Sequence, residues 1–257
     1  VETLLGGWRA LSRLEVDGFA LLRSRGVTRR GHSVVPLAPP VDPAALSAAL
    51  DRIEGLCAAA GESPTYRLFV GEGIDHEPVR AALTGRGFVE GERVHLLHRP
   101  LDAARPAPDP RAEVAVGAPT APWLDASWRL APRPEEGARE TLRELMAGTP
   151  AIYLALAEST GPTPTGRALA VGRAALVPHR RRTVAVLDQI AVDPERRRQG
   201  LGRACVDSLL ALAAVQGADL AVLEVEDSNT AARSLYRGAG FRPVGEYRYL
   251  APAPSTA

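Results

Sequence analysis

The chain has 257 residues, long enough for two domains of ordinary size or one large one. Its 46% apolar and 24% charged residues suit a globular core and an ordinary surface. A net charge of +1 offers no bulk attraction to nucleic acid or to an anionic membrane, so neither is expected as a partner. No apolar run approaches a membrane span, and the first residues lack the charged-then-apolar pattern of a signal peptide, which predicts a cytoplasmic protein. Cys57 and Cys205 fall in apolar helical segments and read as buried free thiols, too few for a disulfide framework. All 31 Lys/Arg positions are arginine, the bias of a GC-rich genome.

In chain order, Val41-Asp42-Pro43 begins a helix in the first part of the chain. From 100 to 111, Pro106, Pro108 and Pro110 alternate with small and charged residues, the composition of a stiff extended linker. The predicted division is therefore an N-terminal domain at 1–101, a Pro-rich linker at 102–112 and a C-terminal domain at 113–257. Residues 113–116 read as a short strand and 122–129 as the start of a helix. A second helix is predicted over 134–146, with Pro134 in its first turn and Glu135 and Glu136 near the positive end of its dipole. Residues 151–157 and 167–177 read as neighbouring strands joined by a loop at 158–166, and 183–192 as the next strand. A helix over 202–216 places Val206, Leu209, Leu210 and Ala213 on one buried face, and Gly217 ends it. A strand at 220–225, a helix at 229–238 and a hairpin-like pair at 241–250 complete an α/β layer pattern.

The chain also repeats itself. Ala82 to Phe88 aligns with Leu235 to Phe241, each ending in Gly-Phe, and Val41-Asp42-Pro43 aligns with Val192-Asp193-Pro194. Matching order and nearly equal spacing make the two halves two versions of one fold.

The sharpest motif is Arg197-Arg198-Gln199-Gly200-Leu201-Gly202, set between a strand and a helix and followed by Arg203. Glycines there let the backbone approach a ligand, and the unpaired N–H groups and dipole of the next helix favour a pyrophosphate. Downstream, Asn229 and Ala232 share a helix face, with Tyr236 two turns along and Gly240-Phe241 at the exit. No Gly-Lys-Ser/Thr is present, which separates the motif from a P-loop.

Together these residues resemble the GNAT superfamily of N-acetyltransferases over 187–241. The whole chain further resembles an actinobacterial two-domain branch, through Gly26-x-Thr28-x-Arg30, Ser33-Val34 and Tyr247-Arg248-Tyr249, with His32 where that branch often has Asn. The resemblance implies tandem GNAT-like domains, each a mixed, mostly antiparallel sheet flanked by helices. It implies acetyl-CoA as cosubstrate, a primary amine as acceptor and direct transfer in a ternary complex. Residues 188–192 would splay from the following strand, with backbone N–H groups near Ile190 and Ala191 holding the thioester carbonyl and Val192 also binding the cosubstrate. Tyr236 corresponds to the general acid that protonates the departing thiolate. Asp188 and Glu226 are candidate bases; each reads equally as a strand-end carboxylate paired with an arginine, and a water chain is a third route.

In the first copy Leu83 stands at the Tyr236 position, His76 falls near that of Asn229, and no glycine cradle follows Pro43. That half reads as a degenerate copy kept for packing or for shaping the acceptor site. Arg23, Arg25, Arg29 and Arg30 bind an acidic acceptor or form a solvated loop, and the loop is the simpler account. His95 and His98 lack partners at metal-ligand spacing, so no metal is expected. Trp123 and Trp128 line the acceptor pocket or pack in the core. The rival to an enzyme is an acyl-CoA-binding sensor or partner module with little turnover. The acceptor stays open between small amine and protein, and the assembly between monomer and homodimer.

Overall fold

The computed structural model describes residues 1–101, 107–158 and 166–253. Its elements in chain order are α1 (Glu2–Gly7), β1 (Ser12–Val16), β2 (Phe19–Arg23), β3 (Val34–Pro36), α2 (Pro43–Ala59), β4 (Tyr66–Val70), α3 (Glu77–Gly85) and β5 (Phe88–Pro100). There follow β6 (Ala112–Gly117), α4 (Ala121–Leu130), α5 (Ala138–Ala147), β7 (Ala151–Ala157), β8 (Ala168–His179), β9 (Arg182–Val192), α6 (Leu201–Val215), β10 (Ala218–Glu226), α7 (Thr230–Gly238) and β11 (Arg242–Pro252). The expected 158–166 loop and 102–112 linker lie largely and partly, respectively, outside the described residues.

Among the described residues, eleven strands form one mixed, mostly antiparallel sheet in the order β1-β2-β3-β4-β11-β5-β10-β9-β8-β7-β6. Its centre is an exchange. β5 leaves its chain neighbour β4 and lies between β11 and β10, while β11 leaves β10 and lies between β4 and β5. The hairpin-like pair expected at 241–250 is therefore a single strand, because its hydrogen-bond partners come from the other half of the chain. The same order, strand then helix then Gly-Phe then strand, surrounds both Gly-Phe pairs, and Gly87 and Gly240 share a left-handed φ of 84° and 83°.

Alternation along the strands builds a core on each face. Ala151, Tyr153 and Ala155 of β7 join one core with Trp8, Trp123 and Tyr247, while Ile152, Leu154 and Leu156 join another under α6 and α7. A third core packs α2 and α3 on the N-terminal strands. α6 buries Cys205, Val206, Leu209, Leu210 and Ala213, as its spacing demands, and Cys57 is buried on α2. Gly172 of β8 lets α6 come this close: a Cβ there would lie 2.8 Å from both Cys205 Sγ and Leu209 Cδ1.

One helix starts later than its sequence suggests. α5 begins at Ala138, after Gly137 at φ 68°, so Pro134, Glu135 and Glu136 precede it instead of forming its first turn. Only glycine takes that left-handed position without strain. The displaced segment runs along the wall of the cleft described next. Among the described residues, no helix is long and apolar enough to cross a membrane.

Candidate active site

The cleft opens where β9 and β10 part. Their parallel pairing runs to Leu187 opposite Leu223 and stops there. On the other side of β9 the register with β8 slips by one residue between Val171–Ala191 and Arg173–Asp188, with Gln189 at φ 51°. That bulge turns the last third of β9 away from β10. Asp188, Gln189, Ile190 and Ala191 line the resulting cavity of 420 Å³, facing Glu224 to Glu226 across it. The backbone parting expected for 188–192 is thus present.

α7 closes the far side. Asn229 caps it, its Oδ1 accepting the Ala232 N–H at 3.0 Å, and Asn229, Ala232 and Tyr236 all line the cavity. Tyr236 is 8% exposed, and burial pushes its phenol well above the usual tyrosine value. It therefore keeps its proton throughout the neutral range.

Val192 ends β9 beyond this wall, and residues 197–203 follow past the end of the strand. A short 3-10 turn over Pro194–Arg196, capped by Asp193, leads into them. Arg198 and Gly200 take left-handed φ values of 63° and 79°, and Gly200 caps α6 with no side-chain hydrogen bond. The first bond from the helix reaches Gly200 O from Ala204 N, so the amides of Leu201, Gly202 and Arg203 precede the ladder. Arg197, Arg198 and Gln199 are exposed beside them. A Cβ on Gly202 would lie 3.3 Å from Leu235 Cδ2, so glycine lets α6 and α7 meet. Arg203 ties the same two helices through the Gly238 carbonyl at 2.8 Å.

The N-terminal half differs at the matching point. Asp42 Oδ2 accepts the Ala45 N–H at 2.8 Å, so a carboxylate of the chain itself occupies the start of α2. Leu83 is fully buried in that half's core, and His76 Nδ1 accepts the Phe69 N–H at 3.0 Å.

That half nonetheless reaches into the cleft. The arginines read above as a solvated loop all find carboxylates: Arg23 meets Glu62, Arg25 meets Glu144, Arg29 meets Glu226 and Glu92, and Arg30 meets Glu224. Arg29 and Arg30 line the cavity and lie over the rings of Tyr249 and Trp8, at 4.6 and 4.5 Å. Burial alone would weaken the charge on Arg30, but Glu224 and Asp188 more than offset it. The turn carrying them is held by His32, whose Nδ1 accepts from the Ser24 and Gly26 N–H groups. Local sequence could not show this, since the carboxylates lie some 200 positions away on β10.

The candidate bases differ in setting. Asp188 is buried and paired with Arg173 at 2.8 Å, both side chains being 1% exposed or less. Burial raises its carboxyl pKa, with Arg173 and Arg30 pulling the other way. Glu226 is half-exposed and meets Arg29 at 3.1 Å. Glu224, not singled out from sequence, is a third cavity carboxylate, 4% exposed and held by Arg30 at 2.9 Å and Arg67 at 3.5 Å. The signal for it was the two-residue spacing from Glu226 on one strand, which puts both on one face. Trp123 packs in the core, donating to the Leu154 carbonyl at 3.0 Å, and Trp128 is partly buried; neither lines this cavity. His95 meets Asp227 at 2.6 Å, and no group of three or more metal-ligating side chains exists among the described residues.

Residues 4–250 match the family model described as "Probable histone acetyltransferase Rv0428c C-terminal". The chain is 34% identical over 131 residues to N-acetyltransferase family 8 member 3 of Rattus norvegicus, covering 49% of this chain and 58% of the relative. It is 47% identical over 57 residues to the [ribosomal protein bS18]-alanine N-acetyltransferase of Escherichia coli K12, covering 22% and 38%. The chain thus spans less than two thirds of the length of these relatives. In fold it is similar to a GCN5-related N-acetyltransferase from Kribbella flavida, with a TM-score of 0.69 at 21% identity over 98% of this chain and 93% of that one. It is also similar to a tandem GNAT protein from the clavulanic acid biosynthesis pathway, with a TM-score of 0.66 at 13% identity over 87% and 76%. The chain belongs to the GNAT-type N-acetyltransferases, in the family of the probable histone acetyltransferase Rv0428c C-terminal region.

Proposed function

We propose that the protein moves the acetyl group of acetyl-CoA to a primary amine by direct attack in a ternary complex. The observation that carries this reading is the meeting of parted backbone and acid: β9 leaves β10 after Leu187, and the opening is lined by Ile190, Ala191, Asn229, Ala232 and Tyr236. Acetyl-CoA fits the residues present. The uncapped start of α6, with Gly200 and Gly202, suits its pyrophosphate, and Arg197, Arg198 and Arg203 add positive charge. The free edge of β9, which ends at Val192, suits its amide-bearing arm; at the start of α6 Gln199 is exposed and Leu201 is buried. When bound, the cosubstrate supplies the acetyl group as a thioester.

The chain's own residues then have separate tasks. Backbone N–H groups near Ile190 and Ala191 hold the carbonyl oxygen where negative charge develops. Tyr236 gives its phenolic proton to the departing sulfur. The amine arrives from the open mouth, and its surplus proton leaves toward the carboxylates of β10, Glu224 and Glu226. Asp188, engaged by Arg173, supports the wall; of the two bases weighed from sequence, Glu226 is the one retained. The relatives named for acting on an alanine or a histone support an amine acceptor, small molecule or protein, without choosing between them.

Substituting Tyr236→Phe tests the assignment. Turnover, followed by CoA release, should fall by about 100-fold or more while acetyl-CoA affinity by calorimetry stays near wild type. Unchanged turnover would remove Tyr236 from the mechanism, and absent acetyl-CoA binding would favour a partner module.

A further inference from the structure

The cavity wall holds one guanidinium that the mechanism leaves idle. Arg133 lies on the segment between α4 and α5, flanked by Pro132 and Pro134, and it lines the cavity with Ala131 and Glu135. Its Nε is buried with no hydrogen-bond partner, and among the described residues its side chain makes no ion pair. The other arginines there are committed: Arg29 to Glu226, Arg30 to Glu224, and Arg173, behind Asp188, to that carboxylate. Burial, and next the neighbouring Arg30, lower the pKa of Arg133, with Glu135 and Glu226 pulling the other way. A buried donor without an acceptor costs about 1–3 kcal/mol, and of the three arginines that line the cavity Arg133 is the one with no carboxylate of the chain paired to it.

We propose that Arg133 binds a carboxylate carried by the acceptor, so that the substrate class is a zwitterionic amine of the amino-acid type. This rests on the acetyl-transfer reading above. The carboxylates of Glu224 and Glu226 receive the ammonium end, and the planar fork of Arg133 receives the acid end, a geometry that guanidinium meets with two parallel hydrogen bonds. The two flanking prolines restrict the backbone at 132–134, so little backbone freedom is lost on binding. The late start of α5 at Ala138 leaves this segment outside the helix, with Arg133 and Glu135 on the cavity wall.

The test compares CoA release with matched amines: lysine against cadaverine, 4-aminobutyrate against butylamine, and the peptide Ala-Asp-amide against Ala-Ala-amide. The last pair separates a side-chain carboxylate on a peptide from that of a free small molecule. At least one carboxylate-bearing member should be preferred in kcat/KM by about 10- to 100-fold, the worth of a charge-assisted hydrogen bond, and mainly through KM. Arg133→Gln should bring that ratio close to one, and Arg133→Lys should restore part of it. A wild-type ratio near one in every pair overturns the proposal, as does a ratio that survives in Arg133→Gln. Release from no amine, with acetyl-CoA still bound, would overturn the transfer reading and this one together; release without preference overturns this one alone.

Discussion

Removing the Asp188 carboxylate separates a structural role from a catalytic one. Arg173 has no solvent exposure, and Asp188 Oδ2 meets its Nη1 at 2.8 Å; the next acceptor on that nitrogen is the Gly7 carbonyl at 3.0 Å. The remaining contacts, to Tyr153 Oη and the Thr149 carbonyl, are both 3.5 Å and contribute little. Asp188→Ala therefore leaves a guanidinium buried with one good neutral acceptor, and breaking such a pair costs about 3–5 kcal/mol. At about 2–4 °C per kcal/mol for a chain of this size, the melting temperature should drop by about 10 °C. The double variant Arg173→Met/Asp188→Leu removes both charges and should recover most of the loss, since well-packed apolar residues replace a buried pair at little cost. Thermal and urea unfolding measure both variants, and CoA release measures what activity each retains. A melting point within about 2 °C of wild type, with turnover abolished, would refute the reasoning and return Asp188 to the place of base.

Two further outcomes follow from the two helix starts and from the buried imidazole. Because Asp42 fills the start of α2 while Gly200 leaves that of α6 open, calorimetry should find one acetyl-CoA per chain, and a stoichiometry near two would overturn the assignment of the N-terminal half. Burial lowers the pKa of His76, whose Nδ1 must stay unprotonated to accept the Phe69 N–H. A folded value below the ordinary one makes its contribution complete above about pH 6.5 and lost as the pH falls below that. Urea unfolding from pH 7.5 to 5 should show stability falling, with a flatter dependence in His76→Gln; parallel slopes would remove His76 as a source.

Much of the fold was legible because local pattern and burial agree. In α6 the apolar positions, the glycine before it and Gly217 after it all point the same way, and the strands at 151–157 and 182–192 are dense in apolar residues. The helix expected from Pro134 failed for a conformational reason. Proline and two acidic residues make a good first turn in any chain, and nothing local shows that Gly137 takes φ 68°. The last strand failed for a topological reason: residues 242–252 carry strand composition, but their partners Tyr66 to Val70 and Phe88 to His98 are set by the exchange.

The Arg197–Gly202 turn, the Asn229–Tyr236 helix face and the lack of both in the first half were properties of the sequence itself. They depend on residue type at short range, where backbone conformation and helical spacing are nearly sufficient. The acceptor side was decided by tertiary structure. Arg29 and Arg30 come to Glu226 and Glu224 only because β5 crosses into the C-terminal half and β11 into the N-terminal one, closing one sheet around both. Charge pairing across so many residues has no period and no motif, so only the folded chain shows that Arg29 and Arg30 meet carboxylates of the chain itself while Arg133 Nε has no partner.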